Sequence, residues 1–313
     1  MSLDEVEAAM VADACRDGGI PVGDLETIRA RVYRGKLEQS DGTRDVFVKL
    51  YPTDRAGNVR EVLRSDGDVG LPKSRLATAD SFAALVMDVA AGRKLSRVMP
   101  VAFLPGLWRR YRSTLESAYY NLGRYVGTLH NETHSNRAPP AEERIAHGLE
   151  RTRILDGLTD ETRRRLADNI KAFAEEAVSR AVLHTDPSPH NVFYHDGRVT
   201  VIDFAFKRGA AVHDHADVLL GIRLMARRLP YTAGTVEDAL ETAYWEGYRD
   251  TGLEASLDPA AVATFLSLSC LSLLEYYDSD AGTWHSRLTR FTDRSILREE
   301  LESGVDVNPS VDR

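Results

Sequence analysis

Cysteine is nearly absent. Cys15 and Cys270 are the only two in 313 residues, too few for a disulfide framework or a four-ligand structural zinc site. No apolar run reaches membrane-spanning length, and Met1 to Asp17 is acidic and amphipathic rather than a leader, so the expectation is a cytoplasmic chain with no membrane partner. Basic charge is also in deficit. A formal net charge of -8 argues against a nucleic-acid surface, and the clusters Arg109-Arg110 and Arg163-Arg164-Arg165 are expected to be solvated faces. Lysine is scarce beside arginine, which makes a lysine inside a strand conspicuous. No Gly-x-Gly-x-x-Gly spacing occurs between Gly18 and Gly35, and Asp24 to Arg31 holds no glycine at all. Repeats and low-complexity segments are missing too, and the tail from Gly304 to Arg313 is expected to be disordered.

The informative residues are concentrated between Val182 and Phe204. Asp186 is followed five positions later by Asn191, then by His195-Asp196-Gly197, then by an apolar strand that delivers Asp203 directly before Phe204. Val192, Phe193 and Tyr194 read as a short strand, the His-Asp-Gly turn reverses the chain, and Val199, Val201 and Ile202 return it. This layout suits phosphoryl transfer. A hydroxyl is a poor nucleophile, so it must be aimed by a carboxylate that accepts its proton late, the role available to Asp186. The oxygens of Asn191 and Asp203 suit a hard cation, Mg²⁺, that bridges phosphates.

At these residues the chain resembles the aminoglycoside phosphotransferase and choline kinase group of the protein-kinase-like superfamily. That group carries His-Gly-Asp, an Asn five residues after the Asp, and Ile-Asp-Phe after a short hairpin. Here the first motif reads His184-Thr185-Asp186, with Thr in place of Gly, while Asn191 and Ile202-Asp203-Phe204 are in place. The resemblance implies that Asp186 is catalytic and that Asn191 and Asp203 are the metal ligands. It also implies an α+β, bilobal protein-kinase-like fold, with a small N-terminal lobe built on an antiparallel sheet and a larger, mainly helical C-terminal lobe.

Upstream, Val46, Val48 and Leu50 alternate with Phe47, Lys49 and Tyr51, a period-two strand, and Ser40 to Thr43 is a turn pairing it with Val32 to Leu37. In a kinase-like site a strand lysine contacts the nucleotide phosphates and is held by a glutamate from the next helix. The pair is then Lys49 with Glu61, the one glutamate between Lys49 and Met87, in the helical run Gly57 to Arg64. Phe82 to Met87 is an apolar strand leading into Asp88 to Gly92, where composition changes. The boundary is placed near Ala91, giving a nucleotide-binding lobe over 1–91 and a catalytic and substrate-binding lobe over 92–313. The resemblance assigns the adenine to the hinge backbone, at Met87 and Val89. Without a glycine loop, the chain leans towards small-molecule kinases and away from protein kinases.

In the second lobe, helices are expected over Tyr119 to His134, Ile154 to Ala181 with a start at Thr159-Asp160-Glu161, from Asp217, and over Val236 to Tyr248. The His130 and His134 pair is read as a helix end with one packed and one exposed ring. In the resembling family an aspartate leading a helix supports the catalytic loop. Asp214 and Asp217 both fit, and the apolar helix after Asp217 favours it.

The function expected is ATP-dependent transfer of the γ-phosphate to a hydroxyl of a small molecule, with ATP and Mg²⁺ as cofactors. Glu275, Asp278 and Asp280 are read as a weak attraction for a cationic acceptor. Two other readings are weighed. One is a kinase-like protein that binds nucleotide or a partner without turnover, motivated by Thr185 and the missing glycine loop. The other is a metal-dependent phosphohydrolase using His184, His190, His195-Asp196 and His213-Asp214. His-Asp hydrolases are all helical, whereas His195-Asp196 falls in a hairpin turn.

Overall fold

The computed structural model describes residues 3–64, 70–104, 106–138, 140, 142–228, 233–252, 258–279 and 284–303. Asp280, the side chain of Asp278 and the tail from Gly304 to Arg313 lie outside the described residues. The chain divides into two compact units, one of Met1–Gly92 with Thr200–Ile202, the other of Arg93–Val199 with Asp203–Arg313.

The first unit opens with helix α1 (Leu3–Asp17), followed by strands β1 (Val22–Arg29), β2 (Val32–Gln39) and β3 (Gly42–Tyr51). Helix α2 (Ala56–Arg64) and strands β4 (Ser74–Thr78) and β5 (Ala83–Asp88) complete it. The strands form one sheet in the order β1-β2-β3-β5-β4, with every neighbour antiparallel. Strand alternation sets the burial: Val46, Val48 and Leu50 of β3 join Tyr33, Leu37, Ala84 and Val86 in the core, with Val11 and Cys15 of α1 against them. Lys49 therefore points to the opposite face. Strand β1 is not expected from the sequence, because its polar residues conceal the period. It holds by pairing with β2, with register shifts along the way, and by its Val22 packing into the core with Val11 and Cys15 of α1. Gly35 of β2 is needed there, since a Cβ would run into Leu25 and the Gly23 carbonyl.

The second unit begins with strand β6 (Arg93–Lys94), helices α3 (Leu95–Ala102) and α4 (Trp108–Glu132), strand β7 (Ser135–Ala138) and helices α5 (Glu142–Ile154) and α6 (Asp160–Ala174). Next come strands β8 (Val178–Leu183), β9 (Val192–His195), β10 (Arg198–Val201) and β11 (Lys207–Ala210). Helices α7 (Val212–Arg227), α8 (Ala233–Arg249), α9 (Pro259–Ser279) and α10 (Trp284–Ser303) close the chain. The expected helix from Ile154 to Ala181 is corrected. Gly157 turns the chain at φ +83°, Thr159 caps α6 by accepting the Thr162 amide at 3.1 Å, and 178–183 is a strand. Its Val178, Ala181, Val182 and Leu183 are buried between β7 and β11, a setting that favours β-branched residues over helix.

Helices α4 and α8 pack backbone to backbone. A Cβ at Gly123 would overlap the Tyr244 carbonyl and one at Gly247 the Tyr120 carbonyl, so glycines on both helices permit the approach. Helix α9 corrects another expectation. Pro259–Tyr277 is long and apolar enough to cross a membrane, with mean hydropathy 1.4, but 61% of that window is buried inside the protein. It packs against α5, α6, α7 and α10, which accounts for its apolar surface. The arginine cluster is also reassigned in part. Arg163 donates to the carbonyls of Thr152 (2.6 Å) and Arg153 (2.9 Å), and Arg165 to that of Glu302 (2.9 Å), so both clamp helix ends rather than facing solvent alone.

Candidate active site

Strand pairing brings the two polar segments together. In the antiparallel pair of β8 and β11, Leu183 faces Lys207. The loop that leaves β8 and the segment that enters β11 therefore start from the same end of the pair. Asp186 lies just past that end and Asp203 just before it. Between them β9 and β10 form the expected hairpin, whose Asp196 (φ +46°) and Gly197 (φ +76°) are both left-handed, as a two-residue turn of this hand requires. Asn121 of α4 fixes the hairpin tip by donating to the Gly197 carbonyl at 3.1 Å. The loop after β8 is tied down as well, because the Ser96 amide of α3 donates to the Pro189 carbonyl at 2.9 Å.

Asp186 is exposed while the residues around it are packed. Asn191 is buried, and its amide nitrogen donates to Asp186 Oδ2 at 2.8 Å and to the Asp186 carbonyl at 3.0 Å. This orientation commits the Asn191 nitrogen. Its Oδ1 receives no hydrogen bond from a described residue, and it remains available as a hard oxygen donor. Asp203 is half-buried at φ +67°, a strained conformation for a residue other than glycine. The next three residues hold it in place: the Ala205 amide donates to the His184 carbonyl at 3.1 Å, and the buried rings of Phe204 and Phe206 stack at 4.3 Å. Phe204 also packs on His184 at 4.6 Å. The set of a carboxylate, an amide oxygen and a second carboxylate in one unit fits a hard divalent cation. No cluster of three or more His, Cys, Asp or Glu suited to a metal occurs among the described residues. The His-Asp hydrolase reading accordingly has no centre here, with His184 sealed in the core and His195 on an exposed tip.

The supporting aspartate is Asp214, which corrects the preference for Asp217. Fully buried in the first turn of α7, Asp214 accepts the His184 amide at 2.9 Å and the Thr185 amide at 2.8 Å. The ring of His130 donates to it at 3.2 Å. Burial alone would raise its pKa, but the bond from His130 and the charges of nearby histidines outweigh this and hold it down to about 2. His130 is the packed ring of its pair, while His134 is exposed. The His130 to Asp214 bond is not legible in the sequence, since no local pattern marks a contact between residues so far apart in the chain.

Asp217 has a different setting. Ser269 donates to its Oδ1 at 2.8 Å, and His213 Nε2 lies 3.3 Å from its Oδ2. Burial raises its carboxyl to about 8 despite Ser269. With His213, Arg144 and Asp186, Asp217 lines a cavity of about 430 Å³ whose apolar wall includes Leu220, Leu224, Met225 and Leu273. Arg144 and this cavity are not foreseen from the sequence, because the lining residues come from α5, α7, α9 and the loop after β8. Glu275 is not part of the lining. It pairs with Arg151 and stands 3.9 Å from His147.

The residues expected from the sequence to meet the nucleotide lie in the first unit. Lys49, half-buried on β3, pairs across the sheet with Leu85 and Val32, and its Nζ stands 5.0 Å from the Tyr51 ring centre. Glu61 is half-buried on α2. Met87 is buried on β5, and Val89 just beyond it is exposed. Where a glycine loop would lie, β1 and β2 are joined by the two residues Ala30 and Arg31, with Arg31 at φ +62°.

Residues 30–254 match the phosphotransferase enzyme family. No curated protein matches. Among solved structures, a glucosamine kinase is similar at 15% identity and TM-score 0.66, covering 95% of this chain and 80% of its own. An amicoumacin kinase solved with AMP-PNP and Ca²⁺ is similar at 18% identity and TM-score 0.61, over 98% of both chains. A macrolide 2'-phosphotransferase from Brachybacterium faecium gives 16% identity and TM-score 0.53, over 98% of this chain and 99% of its own. At these identities the likeness is one of fold.

Proposed function

The chain belongs to the phosphotransferase enzyme family, and from that membership we infer that it transfers the γ-phosphate of ATP to a hydroxyl of a small molecule. The observation that carries this reading is the hold on Asp186. Its backbone neighbours are pinned by Asp214, and its carboxylate is aimed by Asn191 at 2.8 Å. Asp186 is then preorganised to orient the acceptor hydroxyl and to take its proton as the phosphate moves. Asn191 Oδ1 and Asp203 would hold Mg²⁺. When bound, the ion supplies charge neutralisation at the phosphates. Lys49, with Glu61, would bind the phosphates from the first unit, and the backbone at Met87 and Val89 would receive the adenine.

The names of the structural relatives, which include an amicoumacin kinase and a glucosamine kinase, support a small-molecule acceptor. The test is steady-state ADP release across a panel of hydroxyl compounds. Asp186→Asn is expected to lower kcat roughly 10²- to 10⁴-fold while leaving ATP binding in place. Turnover unchanged in that variant would remove Asp186 from the chemistry.

A second reading is a kinase-like protein that binds nucleotide without turnover, favoured by the glycine-free Arg29 to Val32 hairpin. A thermal shift with ATP and Mg²⁺ but no ADP release by any acceptor would select it.

A further inference from the structure

We propose that the acceptor is a hydroxy acid, whose apolar body fills the cavity beside Asp186 and whose single carboxylate pairs with Arg144. The proposal rests on the phosphotransferase reading above and names its acceptor class. Arg144 and Arg228 both line the cavity. Arg228 is compensated, because Asp293 binds it in a two-point clamp at 2.8 and 2.7 Å. Arg144 is not. Its Nη1 donates to His213 Nδ1 at 3.1 Å, its guanidinium lies over the Phe265 ring at 4.9 Å, and no carboxylate among the described residues forms an ion pair with it.

The intervening histidine explains why Asp217 does not serve. Arginine can only donate, so His213 Nδ1 accepts from Arg144 and the ring proton sits on Nε2, directed at Asp217. Burial and the Arg144 charge lower His213 to about 3, so it stays neutral. Burial also raises Asp217 to about 8, which leaves it mostly protonated near neutral pH. Arg144 is thus a fixed cation held on two sides, with its remaining N–H groups unpartnered among the described residues. Even partial burial without an ion pair is costly for a charge, and burial lowers the pKa of the half-buried Arg144. A bound carboxylate relieves that cost with a charge-assisted hydrogen bond.

The N–H groups of Arg144 left over from His213 offer a charge-assisted pairing to one carboxylate, while Asp186, the carboxylate lining the same cavity, is kept for the hydroxyl. A phosphate dianion would leave an excess charge in the same cavity as Asp186. A polycation would meet the Arg144 charge in this cavity; of the three acidic residues read as attracting a cation, Glu275 is paired with Arg151, and Asp280 and the side chain of Asp278 lie outside the described residues. The apolar wall of Leu220, Leu224, Met225 and Leu273 fits a hydrocarbon body better than a polyhydroxylated ring.

The experiment measures kcat/KM by ADP release, using the full chain with ATP and Mg²⁺. The acceptors are medium-chain ω-hydroxy carboxylates, their methyl esters, and amino alcohols of the same length. The acids are expected to exceed their esters roughly 10- to 100-fold, with the ratio falling towards parity in Arg144→Met and intermediate in Arg144→Lys. Esters or amines equal to the acids, or a ratio unchanged in Arg144→Met, would overturn the proposal and leave the kinase reading standing. Thermal unfolding verifies that Arg144→Met is folded, and if it is not, Arg144→Lys carries the comparison. If no compound is turned over, calorimetric titration of the hydroxy carboxylates decides the binding claim, and the kinase reading is left to the broader acceptor panel. Binding lost in the Arg144 variants supports it, and no binding to the unmodified chain sinks it.

Discussion

Asp214 accepts the backbone amide of Thr185 at 2.8 Å, so a buried carboxylate at the start of one helix sets the conformation of the residue just before Asp186. The bond has a mate at the His184 amide and a third partner in His130. Three donors converge on one charge that has no solvent. Such an arrangement is stable only while every member is present.

Removing that charge is therefore expected to be costly. Asp214→Ala leaves two backbone amides and an imidazole without an acceptor, and the loss of stability should be about 3–5 kcal/mol, measured by urea unfolding. The pH dependence has a definite sign. Because the folded-state pKa is depressed to about 2, the contribution of Asp214 is complete above about pH 4 and is lost as pH falls from about 4 to about 2.

Asp217 should behave in the opposite way. Its folded-state pKa is raised to about 8, so its stabilising contribution is present below the unfolded value near 4 and disappears as pH rises through about 8. Asp217→Asn should therefore gain on the unmodified protein in Tm between pH 5 and pH 8. A constant Tm difference across that range would show that the Asp217 carboxyl is not raised in the folded state.

Thr185 adopts φ +75°, a conformation that disfavours a β-branched residue and suits glycine. The departure from His-Gly-Asp is thus absorbed by the backbone, with Asp214 holding the strained residue in place. Thr185→Gly trades relief of that strain, roughly 1 kcal/mol, against a similar entropic loss from a freer unfolded chain. Stability within about 1 kcal/mol of the unmodified protein is expected, with phosphotransfer retained. A large loss would mean that the Thr185 side chain has a role of its own.

Asn191 offers a test of the metal ligands. Its nitrogen holds Asp186, and its oxygen receives no hydrogen bond from a described residue. Asn191→Leu removes both functions. Asn191→Asp keeps an oxygen donor but places two carboxylates side by side. The first variant should lose activity that added Mg²⁺ cannot restore, and the second should raise the Mg²⁺ concentration needed for half-maximal rate. Identical Mg²⁺ titrations for all three proteins would remove Asn191 from the metal site.

Features with a local signal are legible in the chain alone. The strand carrying Lys49, the turn at Asp196-Gly197, the Thr159 cap and the spacing from Asp186 through Asn191 to Asp203 are all set by alternation, turn chemistry or a few neighbouring residues. Features that depend on distant partners emerge only on folding. Strand β1 exists because β2 offers it hydrogen bonds, and Val178 to Leu183 is a strand because β7 and β11 flank it. Helix α9 is apolar because four helices cover it. The choice of Asp214 over Asp217 could not be read from α7, where the apolar run after Asp217 favours the other carboxylate. It turns on which carboxylate meets the His184 and Thr185 amides and His130, and only packing brings those donors together. Arg144 is the clearest case: in sequence it is one arginine among many on a polar helix. No described carboxylate forms an ion pair with it, because His213 stands between it and Asp217.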